Sequence, residues 1–292
     1  MRRLDLNWVR RIMFAIPCLC LSCGASSCFV RHHVVASPVA RDKRPLRTAT
    51  KEELIRGIHD ASDPIQSFTA RVEMAASVGN VYGGEVTDYA TIDGYILLQR
   101  PDTIRVLGQD PVLHSTAFDM VSTGEEFRLS IPPKDRFITG TNSAPATSKN
   151  KLENLRPAAF LNALMINPPD RADITMLEED MDESRALYVL LIVRREQGEL
   201  RLVRSISFDH RTLQIVRQKT FDESGAILGD TQYAVWKAFE RTVFPSSIEM
   251  RRPQDGYELT LTIDEMKVNA GDLTPDRFKL EPPAGIKVEQ LE

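Results

Sequence analysis

Residues 50–77 read TKEELIRGIHDASDPIQSFTARVEMAAS, and within them the spacing of apolar residues changes from helical to extended. Thr50 stands three residues before Glu53. In that pairing the hydroxyl caps the N3 amide and the N3 carboxylate reaches back to the cap. Leu54, Ile55, Ile58 and Ala61 follow at helical spacing, and Asp63-Pro64 stops the pattern because proline cannot continue a helix. The spacing predicts an amphipathic helix of about three turns. Beyond it Phe68, Ala70, Val72, Met74 and Ala76 alternate with Thr69, Arg71, Glu73 and Ser77. A period of two is the signature of a strand with one wet face.

Comparable alternation, or β-rich runs, recurs at 91–99, 103–108, 116–122, 126–131 and 136–140, then at 187–195, 199–209, 213–221, 231–239, 247–252 and 257–264. Turn signals separate them: Asp93-Gly94, Thr123-Gly124, Gln197-Gly198, Ser224-Gly225 and Asp255-Gly256. Short turns between consecutive strands give an antiparallel meander. No helix-sized connection recurs, which argues against a parallel βαβ sheet. The expected fold is mainly β (α+β), with one continuous sheet of about ten or eleven strands.

One insertion interrupts the strands. Residues 141–154 are polar and loop-like, and Pro157 to Ile166 then reads as a short helix, with Pro in its first turn and Pro168-Pro169 beyond its end. Asn162 is its only polar residue. A helix apolar all round must be buried on every side. A curled sheet with the helix on its concave face satisfies that demand, and so does an ordinary core helix on a flat sheet.

The start of the chain reads differently. Arg2, Arg3, Arg10 and Arg11 precede an apolar run from Ile12 to Leu21, followed by the small residues Gly24, Ala25, Ser26 and Ser27. This is the layout of a secretory signal. The run is too short to span a bilayer, which takes about 20 apolar residues. All four cysteines, Cys18, Cys20, Cys23 and Cys28, lie here, so no disulfide framework is expected in the domain. Ala25-Ser26-Ser27-Cys28 resembles a lipobox, with Ala where Leu is usual. The reading is a signal peptide over 1–27, lipidation at Cys28, a tether over 28–49 and a domain over 50–292. Cys23, after Leu21-Ser22, is the alternative anchor, and plain cleavage near Ala25 leaves a free Cys28. Two or three acyl chains anchor stably where one binds only marginally. Phe29, in the position where Asp would retain a Gram-negative lipoprotein at the inner membrane, implies passage to the outer membrane, facing the periplasm.

Four of the 37 basic and one of the 41 acidic residues precede Cys28, which leaves 33 against 40, a net charge of −7. An acidic balance argues against nucleic acid as a partner. It argues equally against electrostatic attraction to anionic lipid.

Catalytic constellations are missing. His32 and His33 fall in the tether without a third ligand, and His59, His114 and His210 have no partner at metal-binding spacing. No HExxH, GxSxG or Gly-rich phosphate loop occurs, and Gly83-Gly84 stands alone. The run Glu178-Glu179-Asp180-Met181-Asp182-Glu183 lacks the ligand alternation and central Gly of a calcium loop and reads as a solvated loop between strands. The chain is therefore expected to be no enzyme and to hold no metal and no cofactor.

The order of helix, strand meander, apolar helical insertion and further strands is similar to the LolA/LolB-like family of outer-membrane lipoprotein-sorting carriers and receptors. The segment Tyr257 to Ile263, then Val268-Asn269, Phe278-Lys279-Leu280 and Pro282-Pro283-Ala284-Gly285, resembles that family's closing strand and ending. The resemblance covers residues 50–292. It implies an incomplete β-barrel lined with apolar side chains, closed on one side by helices and holding the acyl chains of lipids or lipoproteins. The candidate lining is Ile96, Leu98, Ile104, Val106, Phe118 and Met120, with Phe160, Leu164 and Met165 on the plugging helix; plain core packing is the other reading of the same residues. The lipobox sides with the receptor form, whose protruding apolar loop is placed at Ile227-Leu228. The competing expectation is a non-catalytic envelope scaffold that binds a protein partner through a sheet edge or an apolar patch.

Overall fold

The computed structural model describes residues 44–80, 85–142, 154–182 and 185–291. The signal segment, Cys23, Cys28, most of the tether and Gly83-Gly84 lie outside the described residues. Helix α1 (Lys51–Ser62) starts on the capping box read from the sequence: the Glu53 amide donates to Thr50 Oγ1 at 3.2 Å and the Thr50 amide to Glu53 Oε2 at 2.8 Å. It buries Leu54 and Ile58 and leaves His59 exposed, 2.9 Å from Asp63. Of the predicted tether, Arg47 donates its amide to the His210 carbonyl, and the Tyr188 hydroxyl donates to the Arg47 carbonyl.

Fifteen strands follow among the described residues, where ten or eleven were expected. They are β1 (Ser67–Asn80), β2 (Glu85–Asp88), β3 (Ile92–Gln99), β4 (Thr103–Gln109), β5 (Thr116–Thr123), β6 (Glu126–Ile131) and β7 (Arg136–Thr141). After helix α2 (Pro157–Leu164) come β8 (Ile174–Met181), β9 (Ala186–Glu196), β10 (Glu199–Asp209), β11 (Ile215–Phe221), β12 (Ile227–Phe239), β13 (Thr242–Arg252), β14 (Tyr257–Val268) and β15 (Val288–Leu291).

The strand order is β15-β7-β6-β5-β4-β3-β1-β14-β13-β12-β11-β10-β9-β8, with β2 on β1. The end strands β15 and β8 do not pair, so the sheet stays open. All ladders are antiparallel except β15 on β7. Bulges at Arg71/Val72, Gly108/Gln109, Leu202/Arg204 and Thr220/Phe221 break the register. Each adds bend and twist, which curls a long open sheet.

The strands that match none of the runs read from the sequence are β2, β8 and β15. Every residue of β2 is exposed, and β15 has only four residues, none of them buried, so neither shows a run of core-facing residues. Strand β8 corrects the reading of 178–183 as a loop: Glu178 to Met181 are paired with β9. An edge strand has one pairing partner and tolerates charges there. Asp93-Gly94, taken as a turn, lies inside β3. A Cβ on Gly94 would stand 2.2 Å from Met74 Cε and 2.6 Å from the Leu107 carbonyl oxygen, so the glycine makes room for a packed neighbour.

One face of the sheet carries α1, α2 and a single core that runs from Leu54 and Phe68 to Ile263. The other face holds a small cluster in which Phe278, from the 3-10 turn Pro275–Phe278, covers Leu97 and Val121. The C-terminal segment is thus strapped over the outside: Arg105 donates to the Arg277 carbonyl at 2.8 Å and Arg128 to the Leu280 carbonyl at 2.9 Å. Asn269 begins that crossing. Its side-chain oxygen accepts from the Gln66 and Ser67 amides, both at 2.9 Å, which ties the end of β14 to the start of β1.

Candidate functional site: an apolar pocket under helix α2

Strand β7 lies next to one end of the sheet and β8 at the other, and α2, which falls between them in sequence, packs on the inner face. Phe160 is fully buried, and α2 packs on β4 and β5. On its other side the Tyr233 hydroxyl donates to the Ala163 carbonyl and Gln218 Nε2 to the Asn162 carbonyl, both at 2.9 Å. Burial pushes the Tyr233 pKa up, which keeps the phenol a neutral donor. The segment after the helix is also held: Arg204 donates to the Pro168 carbonyl, and Arg194 binds Asp170 and Asp173. Burial lowers the pKa of Arg204, and the hydrogen bond to Asp173 raises that of Arg194. Helix α2 therefore spans from the β4–β5 half of the sheet to the β11–β12 half. It is shorter than the sequence suggested, ending at Leu164, and it is not enclosed on every side: Asn162 is exposed and Leu161 half-buried.

Between α2 and the sheet lies a pocket of about 350 Å³. Met74 and Ala76 of β1, Ile92 of β3, Phe118 and Met120 of β5, Leu129 and Ile131 of β6 and Leu259 of β14 form its walls. Leu155 and Phe160 close it from the helix side, and the exposed residues Tyr89 and Lys134 also line it. A second cavity of about 370 Å³ lies between α1 and strands β10 to β13, on Phe208, Ile215 and Trp236, with a polar border of Asp60, Gln214 and Arg241.

The nine residues expected to line a cavity share one core, but they do not share one pocket. Phe118, Met120 and Phe160 line the apolar pocket. Ile96, Leu98, Ile104 and Val106 face the same way and are fully buried among neighbours. Leu164 and Met165 border only a crevice of about 20 Å³ at the far end of α2. Met74, Ala76 and Leu259 were missed. They come from β1 and β14, and the pairing of Ala76 with Leu259 joins segments 183 residues apart. Gly94 and Gly108 were the one available signal, because a Cβ at Gly108 would meet the Phe118 ring at 2.5 Å.

Ile227 and Leu228, where a protruding loop was expected, lie in a strand. Ile227 opens β12, paired with Phe221, and both Ile227 and Leu228 are half-buried. Among the described residues the most exposed large apolar side chains are Val112 and Leu113, at 80% and 77%. They sit in the β4–β5 connection, where Asp110 Oδ1 accepts the Val112 and Leu113 amides at 2.9 and 2.7 Å. Those donors hold the Asp110 carboxyl below its ordinary pKa and fix the loop in a tight Asx-type turn.

Among the described residues no group of three or more His, Cys, Asp or Glu is placed to hold a metal ion. His210 is buried and stacks on Tyr188 with ring centroids 4.1 Å apart. No helix of the described residues is long and apolar enough to cross a membrane.

An open, curled, mainly antiparallel sheet with helices on one face and an apolar pocket beneath them defines the class of fold. No protein-family model matches the sequence, and no curated protein matches it either. Solved structures do. A LolA-superfamily protein from Nitrosomonas europaea matches with a TM-score of 0.52 at 12% identity, covering 80% of this chain and 99% of that one. A DUF1329-family protein from Desulfovibrio piger matches with a TM-score of 0.53 at 12% identity, covering 77% of this chain and 94% of that one. The chain has a LolA/LolB-like fold.

Proposed function

We propose that this protein is an exported lipoprotein, anchored through Cys28 in the outer membrane and facing the periplasm, which binds acyl chains of lipids or lipoproteins in the pocket under α2. The observation that carries the reading is that pocket: a mainly apolar space walled chiefly by aliphatic, Met and Phe side chains on the helix-covered face of an open sheet. Acyl chains need no directed polar partner, and each buried methylene contributes about 0.8 kcal/mol. At roughly 30 Å³ for a group the size of a water, the pocket holds on the order of ten methylenes. The gross gain is then roughly 8 kcal/mol, less the cost of association. The role follows as non-catalytic, in lipid or lipoprotein sorting or insertion.

Native mass spectrometry of the soluble domain should show co-purifying phospholipid or acylated peptide. A mass that stays that of the bare chain after incubation with lipid sinks the reading. It would favour the alternative, a scaffold for a protein partner, for which the outer face of β8–β10 is suited. There Ile174, Met176 and Leu200 are exposed and Leu187, Val189 and Leu191 half-exposed beside the unpaired β8 edge.

Two further expectations belong to this reading. Replacing Cys28 by Ser should release the protein from membranes into the soluble fraction, while Cys23→Ser should not; the reverse pattern moves the anchor to Cys23. Val112 and Leu113 would be the part that touches the bilayer during transfer. A Leu113→Asp change should then leave the fold and lipid content intact and lower vesicle association at least about fivefold, the loss of roughly 1 kcal/mol or more of buried apolar area. Unchanged flotation with vesicles would leave the loop without that role.

A further inference from the structure

The cavity between α1 and strands β10 to β13 shares no lining residue with the pocket under α2, and three observations mark it as a site of its own. The first is Gly57. It stands in the middle of α1 and lines the cavity, and a Cβ there would meet no atom within 4 Å. Glycine is a poorer helix former than any residue but proline. No neighbour excludes a side chain here, so packing within the chain does not account for the glycine. What it preserves is open space in the cavity. The second observation is charge. Asp60 of α1 and Arg241 of the β12–β13 turn both line the cavity and are exposed. They do not pair with each other, and neither side chain has a hydrogen bond or ion pair among the described residues. Opposite charges that border one cavity without closing on each other suit a ligand carrying both signs. The third is backbone conformation. Leu213, Val235 and Glu240 take positive φ angles of 60°, 53° and 53°. Leu213 lines the cavity, and the other two directly precede Trp236 and Arg241, which also line it. Such angles are outliers for a β-branched residue like valine, and they gather at binding sites. The Trp236 indole N–H donates to the Ile215 carbonyl at 3.1 Å, so the ring offers the cavity only its apolar surface.

We propose that this cavity binds a small zwitterion, its ammonium paired with Asp60 and its anionic group with Arg241, over an apolar wall that includes Phe208, Ile215 and Trp236. At roughly 30 Å³ for a group the size of a water, a volume of about 370 Å³ takes on the order of a dozen non-hydrogen atoms. Two sources offer that chemistry at that size: the head group of a zwitterionic phospholipid and a free apolar amino acid. A guanidinium pairs with the phosphate of one or the carboxylate of the other. The site is separate from the acyl-chain pocket and does not depend on that reading.

The test is calorimetric titration of the mature chain with glycerophosphoethanolamine and with phenylalanine, one probe for each source. Glycerol phosphate and ethanolamine keep one charge each of the first, and 3-phenylpropanoate and phenethylamine one charge each of the second. The tighter zwitterion identifies the source. It should bind about threefold to fivefold more tightly than either of its singly charged analogues, the size of one exposed ion pair. Asp60→Asn should bring it down to the level of the anionic analogue, and Arg241→Gln to that of the cationic one. Both positions are exposed, so neither change threatens the fold. Gly57→Leu should lower binding at least about tenfold, because its four side-chain carbons take the space of as many ligand atoms. Gly57→Ala should raise the melting temperature by roughly 2–4 °C. A zwitterion bound no more tightly than its analogues overturns the proposal, and so does failure of both zwitterions to bind. A folded Gly57→Leu protein that binds like the wild type overturns it too, since the ligand then sits elsewhere. Laurate binding by the same Gly57→Leu protein should be unchanged, which separates failure of this site from failure of the acyl-chain reading.

Discussion

Ala76→Trp is expected to lower acyl-chain affinity by at least about 100-fold, because an indole at this wall position displaces several methylenes at roughly 0.8 kcal/mol each. Ala76 is half-buried on β1, opposite Leu259 of β14, and its side chain borders the pocket. The new ring would extend into empty space, so the cost to stability should stay near the low end of the ~1–3 kcal/mol typical of overpacking. Native mass spectrometry and titration with a fluorescent acyl probe read the affinity, and a thermal melt confirms the fold. A folded Ala76→Trp protein that retains its lipid would place the ligand elsewhere. The cavity between α1 and β10–β13 is then the next site to examine. Leu164 would be a poor position for the same experiment. It is 2% exposed and does not border this pocket, so a tryptophan there would disrupt the core first.

Phe160→Ala is expected to destabilise the domain by about 3–5 kcal/mol, the range for removing a fully buried ring. The ring is 0% exposed, closes the pocket from the helix side and belongs to the one core that unites both halves of the sheet. Urea unfolding followed by circular dichroism measures the loss. A change below about 1 kcal/mol would mean that α2 is a loosely seated plug whose contacts add little. The hydrogen bonds from Tyr233 and Gln218 to its last carbonyls argue for the firmer seat. The enlarged pocket should also accept bulkier chains, measurable as a shift in the lipids that co-purify.

Legibility in the sequence followed the physics of each element. Helix α1 was readable to its cap because a capping box is a local device, built from Thr50 and Glu53 alone. The long strands β1, β9 and β14 were readable because a face turned to the core imposes alternation. The strand β8 was not. Its acidic residues are tolerated at an edge, and nothing in residues 174–181 announces that the strand is last in the sheet. Gly94 was misread for a related reason. Asp-Gly is a strong turn signal when only neighbours in sequence are considered, and here the glycine answers to Met74 on the adjacent strand.

The candidate site divides along the same line. Local pattern could name residues that face inward, and Phe118, Met120 and Phe160 were among them. It could not say which inward residues meet a void and which meet each other, because that depends on where α2 settles on the face. The sequence by itself determined the secondary-structure periods, the single mainly antiparallel sheet, an acidic balance after Cys28 and the apolar character of α2. Only the tertiary structure decided that β1 and β14 pair, that Phe278 of the tail covers Leu97 and Val121 on the outer face and that a pocket remains between Met74 and Phe160 while Ile96 and Val106 are fully buried. The physical reason is range: period and capping are set within a few residues, whereas a void is what remains after segments nearly 200 residues apart have packed.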